Sequence, residues 1–226
     1  MLDPGHGGHD PGAIAPDGVF EKHITLATGL VLRRSLLATK RYRVSMTRTR
    51  DVFIPLQDRV NDAVNQNASL FIALHCDHLP TADLRGASVF TLSNTASDAL
   101  SAGLAQDENS TDTTAPSVAG MSPQVADILA SLETRATKIG SVSLARDIQR
   151  SFNGVVPLLP DPHRSANFAV LRDASTPATL LEMGCLTNKL DEKRLRDPQQ
   201  RALMADRLTH AIDLYFTHYA QQRIAG

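Results

Sequence analysis

The sequence predicts an α/β fold, in which a twisted, mostly parallel β-sheet carries helices on both faces and forms a single domain with one helical insertion. Short apolar runs alternate along the chain with segments of helical spacing, which is typical of β-α-β units. The run at residues 69–75 is apolar almost throughout, as expected of a strand buried on both faces. A length of 226 residues fits one domain with room for an insertion.

Each element is predicted from its local pattern. Helices are expected where apolar residues recur three or four positions apart. These segments are 21–39, 56–67, 96–105, 122–136 and a closing helix from 198 to about 216. Strands are expected at short β-rich or apolar runs, which are 42–47, 69–75, 86–92, 167–171 and 178–182. Asp197-Pro198 supplies an N-cap and a first-turn proline for the closing helix.

Residues 106–138 interrupt this alternation and are interpreted as an insertion between two scaffold elements. The stretch from Gln106 to Ser122 is polar and rich in Thr, Ser, Pro and Gly, which predicts an exposed loop before the helix at 122–136. Two interpretations stay open. One is a surface excursion with a single packed helix, and the other is a lid or regulatory element, since long loops in compact domains are usually functional or disordered.

Composition excludes several classes of function. Lys plus Arg number 23 against 24 for Asp plus Glu, so no global field attracts nucleic acid or anionic lipid. Trp is absent and aromatic residues are 4%, which argues against a stacking platform for bases. No apolar stretch reaches the roughly 18–20 residues of a membrane span. Cys76 and Cys185 are too few for a zinc ribbon, and their spacing does not assign a disulfide.

Four side chains stand out because of where the pattern places them. His6 lies in the opening segment DPGHGGHDPGA, whose glycines let the backbone turn tightly and bring a side chain to a ligand. Glu21 opens the first helix. His75 and Glu182 each end an apolar strand, and buried strands of α/β sheets deliver functional residues at their carboxyl ends. The opening segment lacks the glycine spacing of a phosphate-binding loop, so no such loop is predicted.

Each of these residues taken alone has a plain structural explanation. His6 could be a loop histidine, His75 a histidine at the core edge, Glu21 a helix-start carboxylate favoured by the helix dipole, and Glu182 a salt-bridge partner. Together they supply the two imidazoles and one carboxylate that zinc hydrolases use while leaving a fourth position for water. A second carboxylate is left to act as a base. The H-E-x-x-H signature of one metalloprotease type is absent.

A resemblance extends over essentially the whole chain. The blocks that carry it are DPGHGGHDPGA at 3–13, TRTRD at 47–51, LQDRV at 56–60, SLFIALHCD at 69–77, GASVFTLS at 86–93, FAVLR at 168–172 and PATLLEMGCLTN at 177–188. In this order they resemble the catalytic domain of zinc-dependent N-acetylmuramoyl-L-alanine amidases of the bacterial cell wall, in particular the division-associated type with an autoinhibitory helix. The first strand of that family is largely missing before Leu2, which we expect to cost stability.

The resemblance implies a role for each candidate residue. His6, Glu21 and His75 would bind Zn²⁺, and Glu182 would be the catalytic acid and base. In the division-associated members an acidic side chain from an inserted helix fills the open coordination position until an activator protein displaces it. Glu108, in a stretch similar to the family's ENxxD segment, is the candidate here, with Asp112 one turn further on.

The implied reaction is hydrolysis of the amide between N-acetylmuramic acid and L-alanine in peptidoglycan. That substrate implies a periplasmic protein, whose signal sequence and possible wall-targeting domain we expect to be absent from this chain. Three alternatives remain open at this point. They are another zinc amidohydrolase such as a deacetylase, a catalytically silent wall-binding module, and a cysteine hydrolase.

Overall fold

Five strands form one mixed sheet in the computed structural model, which describes residues 1–76, 78, 83–112, 135–173 and 175–224, with side chains as far as residue 218. The strands are β1 (Leu2–Pro4), β2 (Phe71–His75), β3 (Ala87–Leu92), β4 (Leu158–Ala166) and β5 (Ala178–Glu182). Their order is β1-β2-β5-β3-β4. The pairs β1/β2, β2/β5 and β3/β4 are parallel and β3/β5 is antiparallel, which confirms a mostly parallel sheet.

Helices cover both faces of this sheet, as the sequence predicts. They are α1 (Glu21–Ala38), α2 (Leu56–Asn65), α3 (Ala99–Ser110), α4 (Arg135–Phe152), α5 (Lys189–Arg196) and α6 (Pro198–Ile224), with a 3₁₀ turn at Ala169–Leu171. One core cluster lies beneath α1, α4 and α6, and a second lies beneath α2, α3 and the 3₁₀ turn. Each face therefore buries its own apolar side chains, which is the usual reason for a three-layer α/β arrangement.

Two of the predicted strands are wrong. The predicted strand at 167–171 is instead a 3₁₀ turn at Ala169–Leu171 with its preceding loop, because its apolar side chains pack beneath α2 without joining the sheet. Residues 42–47 make only an isolated bridge, in which Met46 pairs with Leu2. Sequence patterns miss two strands: β1, which is only three residues long, and β4, whose segment LLPDPHRSA contains two prolines. An edge position tolerates them because one side of the strand needs no hydrogen bonds.

The helical predictions need three corrections. α3 begins after the N-cap Asp98, whose side chain accepts a hydrogen bond from the Ser101 N–H, and continues to Ser110, past the predicted end at 105. The predicted insertion at 106–138 therefore begins inside α3 and ends inside the first turn of α4, and its residues 113–134 lie outside the described part of the chain. α4 and α5 are absent from the prediction.

The two cysteines lie on opposite faces of the sheet. Cys76 packs into the core cluster under α1, and Cys185 packs into the cluster under α2 and α3. Neither side chain is accessible to solvent, with 0% exposure for both. Among the helices of the described residues, none combines the length and the apolar character that a membrane span requires.

Two buried arginines hold the loop that follows β1. The guanidinium of Arg59 on α2 lies 2.7 Å from the carboxylate of Asp3 and donates to the carbonyls of Pro4 and His6 at 2.9 Å. The guanidinium of Arg48 donates to the carbonyls of Pro4 and Gly5 at 2.8 and 2.7 Å. Three consecutive carbonyls, those of Pro4, Gly5 and His6, are thus bound by charged donors.

We expect Arg59→Met to lower the free energy of unfolding by about 3–5 kcal/mol, because it leaves the buried Asp3 carboxylate without its counter-charge. The matched control is Arg34→Met on the exposed side of α1, which should stay within about 0.5 kcal/mol of the wild type. Chemical denaturation of the three proteins measures both values. Equal stability of the two variants would contradict this role for the ion pair.

Candidate metal centre

Four side chains from four different elements converge at one edge of the sheet. His6 follows β1, Glu21 is the first residue of α1, His75 ends β2, and Glu108 lies in the last turn of α3. One potential ligand atom from each of them lies within 4.8 Å of those from the other three. The first three are buried, and the side chain of Glu108 is 19% exposed. The structure therefore brings together all three predicted zinc ligands and the predicted inhibitory residue.

The ring nitrogens of the two histidines face the same carboxylates. His6 Nε2 lies 3.1 Å from Glu21 Oε2 and 3.6 Å from Glu108 Oε2. His75 Nδ1 lies 3.2 Å from Glu21 Oε1 and 3.2 Å from Glu108 Oε2. Both nitrogens are buried and make no hydrogen bond of good geometry within the described residues. Buried nitrogen and oxygen atoms that point at a common centre are suited to coordinate a metal ion.

The two buried carboxylates of the cluster are best compensated by two positive charges. Burial alone would raise the pKa of Glu21, but the adjacent His6 and His75 lower it to about 2. Burial alone would lower the pKa of His75, but Glu108 and Glu21 raise it to about 10. The pKa of His6 is raised and that of Glu108 lowered for the same reason. Two protonated imidazoles balance two carboxylates, and one divalent cation would balance them equally well once both histidines are neutral.

Two glycines provide the room that the side chains of the cluster need. A Cβ on Gly5 would lie 2.4 Å from the ring of His75. Gly12 has a φ of +65°, and a Cβ there would lie 2.5 Å from the ring of His6 and 2.7 Å from a carboxylate oxygen of Glu21. Any side chain at either position would displace a ligand.

The carboxylates around the site fix its geometry. Asp10 Oδ2 lies 2.9 Å from His6 Nδ1, which orients the ring so that Nε2 faces the centre. Each oxygen of Glu21 accepts a backbone hydrogen bond, Oε2 from Ala13 at 2.9 Å and Oε1 from Cys76 at 2.8 Å. Such outer contacts set the orientation and basicity of metal ligands. Sequence analysis gives no role to Asp10, although a carboxylate four residues after a candidate ligand is a usable signal.

Arg48 and Arg59 are further residues that sequence reasoning leaves without a role. Both occur in blocks that resemble the family, TRTRD and LQDRV, and both bind the carbonyls beside His6. Burial and the nearby Arg59 lower the pKa of Arg48 to about 10, so it remains charged at neutral pH. The backbone at His6 is left-handed, with φ of 60°, and these charged donors hold it there.

Glu182 lies beside the cluster rather than in it. It pairs in register with His75 across β2 and β5, so both side chains project from the same face of the sheet. It is 1% exposed and is not one of the four convergent groups. The structure thus contains the predicted ligand Glu21 within the cluster and the predicted acid Glu182 next to it.

The end of helix α3 is anchored by two residues that follow Glu108. The side-chain amide of Asn109 donates to the carbonyl of Asn167 at 2.8 Å and accepts from the N–H of Ala169 at 2.7 Å. The carboxylate of Asp112 accepts from the N–H of Leu56 at 3.0 Å. These contacts place the Glu108 carboxylate against the two histidines.

A family model described as N-acetylmuramoyl-L-alanine amidase matches residues 1–213. The chain belongs to this family. It is therefore an amidase that acts on peptidoglycan, and the implied family assignment is confirmed. The chain is 35% identical to the N-acetylmuramoyl-L-alanine amidase AmiA of Escherichia coli over 225 residues, which cover 99% of this chain and 78% of the relative.

Solved structures of amidases share the fold at low sequence identity. The amidase Ami1 from Mycobacterium smegmatis has a TM-score of 0.72 at 20% identity, with 96% of this chain and 95% of the other covered. The CwlD amidase from Clostridioides difficile, solved in complex with the GerS lipoprotein, has a TM-score of 0.67 at 21% identity, with 96% of each chain covered. The α/β fold predicted from the sequence is thereby confirmed.

We expect Asp10→Ala to weaken zinc binding about 10- to 100-fold, because the His6 ring loses the contact that orients it. Competition with a chromophoric zinc chelator measures the affinity. Asp206→Asn is the control, since Asp206 lies on α6 with its side chain 69% exposed and should leave the affinity unchanged. Equal affinity of the Asp10→Ala and control proteins would show that the contact does not support the site.

Proposed function

We propose that this amidase is zinc-dependent and held in an inhibited state by Glu108. The observation that carries the proposal is the convergence of His6, Glu21, His75 and Glu108 within 4.8 Å. The donor set of two imidazoles and a carboxylate fits zinc, and the two buried ring nitrogens, which make no hydrogen bond within the described part of the chain, support that fit. His6, Glu21 and His75 would hold the ion, and the fourth position is the one that Glu108 faces.

Bound zinc supplies Lewis acidity toward the scissile carbonyl and toward water at neutral pH. The remaining work falls to the chain's own residues. Glu182 takes the proton from the attacking water and returns it to the leaving amine of L-alanine. The Glu21 carboxylate, held by two backbone N–H groups, stays ionised and does not compete for that proton.

We expect Glu182→Gln to reduce turnover about 10²- to 10⁴-fold while the zinc content stays unchanged, because the amide side chain cannot accept the proton. His6→Ala and His75→Ala should instead lose the metal. Release of free stem peptides from purified sacculi, together with metal analysis of each protein, measures both effects. Full activity of the Glu182→Gln protein would remove that residue from the mechanism.

The same geometry supports the proposed inhibition by Glu108. Its Oε2 lies 3.2 Å from His75 Nδ1 and 3.6 Å from His6 Nε2, in the space that a water molecule and the scissile carbonyl need. The anchors at Asn109 and Asp112 hold it there. We infer that an activator protein displaces this part of α3, and that residues 106–138 are the regulatory insertion.

Glu108→Ala should raise the basal hydrolysis of peptidoglycan at least several-fold, because it frees the fourth position. Asp107→Ala is the matched control, since this neighbouring acid on α3 is exposed and should leave the rate unchanged. Release of stem peptides without any added partner measures the effect. Equal basal rates for the two variants would show that Glu108 does not inhibit.

The substrate sets the compartment, because peptidoglycan lies outside the cytoplasm. We infer that the mature protein acts in the periplasm during cell division. The same sacculus assay, read for acetate as well as for stem peptides, separates this reaction from that of a deacetylase. The cysteine-hydrolase alternative is not supported, because both thiols have 0% exposure and neither can reach a substrate.

A further inference from the structure

A row of three polar residues crosses the edge of the sheet at the candidate metal centre. Glu182 on β5 pairs in register with His75 on β2 and, on its other side, with Ser88 on β3. Residues two positions away on these strands, Ala73, Leu180 and Phe90, all belong to the core cluster beneath α2 and α3. Because side chains alternate between the faces of a sheet, His75, Glu182 and Ser88 project from this same face.

Ser88 carries a buried hydroxyl group that lacks a hydrogen bond within the described residues. The exposure of Ser88 is 0%. A buried polar group without a partner is uncommon and costs free energy, so its retention calls for an explanation. The residue directly opposite in the antiparallel pair has its Cβ about 4.5–5.5 Å away. That distance puts the carboxylate of Glu182 within reach of the Ser88 hydroxyl.

We propose that Ser88 is a positioning residue for Glu182. In the working enzyme its hydroxyl donates a hydrogen bond to one carboxylate oxygen of Glu182 and leaves the other oxygen facing the reacting amide. Ser88 does not touch substrate, because it is wholly buried. This inference rests on the proposed role of Glu182 as the group that moves the proton.

The mechanism creates the need for such a contact. A carboxylate that first accepts and then returns a proton must keep one orientation through both steps, and a misplacement of about 1 Å is costly in rate. A donor on the neighbouring strand supplies that restraint without blocking the oxygen that faces the amide. Hydrogen bonds of catalytic groups are often long in a resting site and shorten only when substrate is bound. This is consistent with a Ser88 hydroxyl that has no hydrogen-bond partner among the residues that the structure describes.

The experiment compares two deletions of a buried hydroxyl. Ser88→Ala should lower kcat about tenfold, with KM and zinc content unchanged, and Ser88→Thr, which keeps the hydroxyl, should restore most of the rate. Thr179→Val is the matched control. Thr179 lies on β5, is 0% exposed and also has an Oγ1 without a hydrogen-bond partner among the described residues, but its position alternates to the opposite face. Its kcat should stay within about twofold of the wild type.

The kinetics are measured in the wild-type background and in the Glu108→Ala background, so that resting inhibition does not limit the rate. If Ser88→Ala matches Thr179→Val, or if it changes KM or zinc content rather than kcat, the positioning role is overturned. Glu182→Gln, assayed alongside, separates this failure from that of the proposed function. An inactive Glu182→Gln protein with an unaffected Ser88→Ala protein overturns only the positioning role, whereas an active Glu182→Gln protein overturns both.

Discussion

The convergence of two carboxylates with two histidines in a buried site is the constraint on which the rest of this structure depends. Charges removed from water are tolerated only when they are compensated nearby. Glu21 and Glu108 bring two negative charges, and the site is neutral when the imidazoles of His6 and His75 hold two protons or when one divalent ion replaces those protons. The exchange leaves the net charge unchanged, so the surrounding fold does not need to reorganise.

The same charge balance is consistent with the proposed inhibition by Glu108. With its carboxylate in place, a divalent ion in the site is fully neutralised. Without it, Glu21 alone compensates the ion, and the centre gains a net positive charge that favours the oxygen of a polarised carbonyl. In the proposed inhibited state, the contacts of Asn109 and Asp112 would hold the end of α3 in place, since each satisfies backbone groups outside α3. If α3 favours its closed position over an open one by 99:1, a partner that reverses this ratio must bind the open state about 5.5 kcal/mol more tightly than the closed state.

Sequence patterns predict a strand or helix correctly where the spacing of its apolar residues matches the residues that the fold buries. His75 and Glu182 end runs of apolar residues, so their strands and their location at one sheet edge could be predicted. β4 could not, because Pro160 and Pro162 suggest a loop and only the edge position makes them acceptable. The 3₁₀ turn at Ala169–Leu171 has the apolar composition of a strand, and local sequence does not distinguish a buried turn from a buried strand.

Charged residues show the limit of such predictions most clearly. Arg48 and Arg59 resemble surface residues in the sequence, yet both are 2% exposed and bind the carbonyls on either side of Gly5. Local sequence does not link them to this loop, because the carbonyls of Gly5 and His6 that they bind lie more than 40 residues away along the chain. Asp10 is different, since it lies only four residues from His6 and could be paired with it by spacing. The ligands were therefore more predictable than the groups that orient them.

The two buried glutamates at this edge differ in role because they differ in surroundings. Both oxygens of Glu21 accept backbone hydrogen bonds, and two histidines lower its pKa to about 2, so it remains a charged ligand throughout neutral pH. A group fixed in this way cannot take up a proton from water. In the proposed mechanism, proton transfer therefore falls to a carboxylate that lies next to the cluster without belonging to it. Glu182, in register with His75, lies at that position. A neighbouring hydroxyl can orient the Glu182 carboxylate and leave it able to accept a proton. A cation next to Glu182 would instead keep the carboxylate ionised, like that of Glu21.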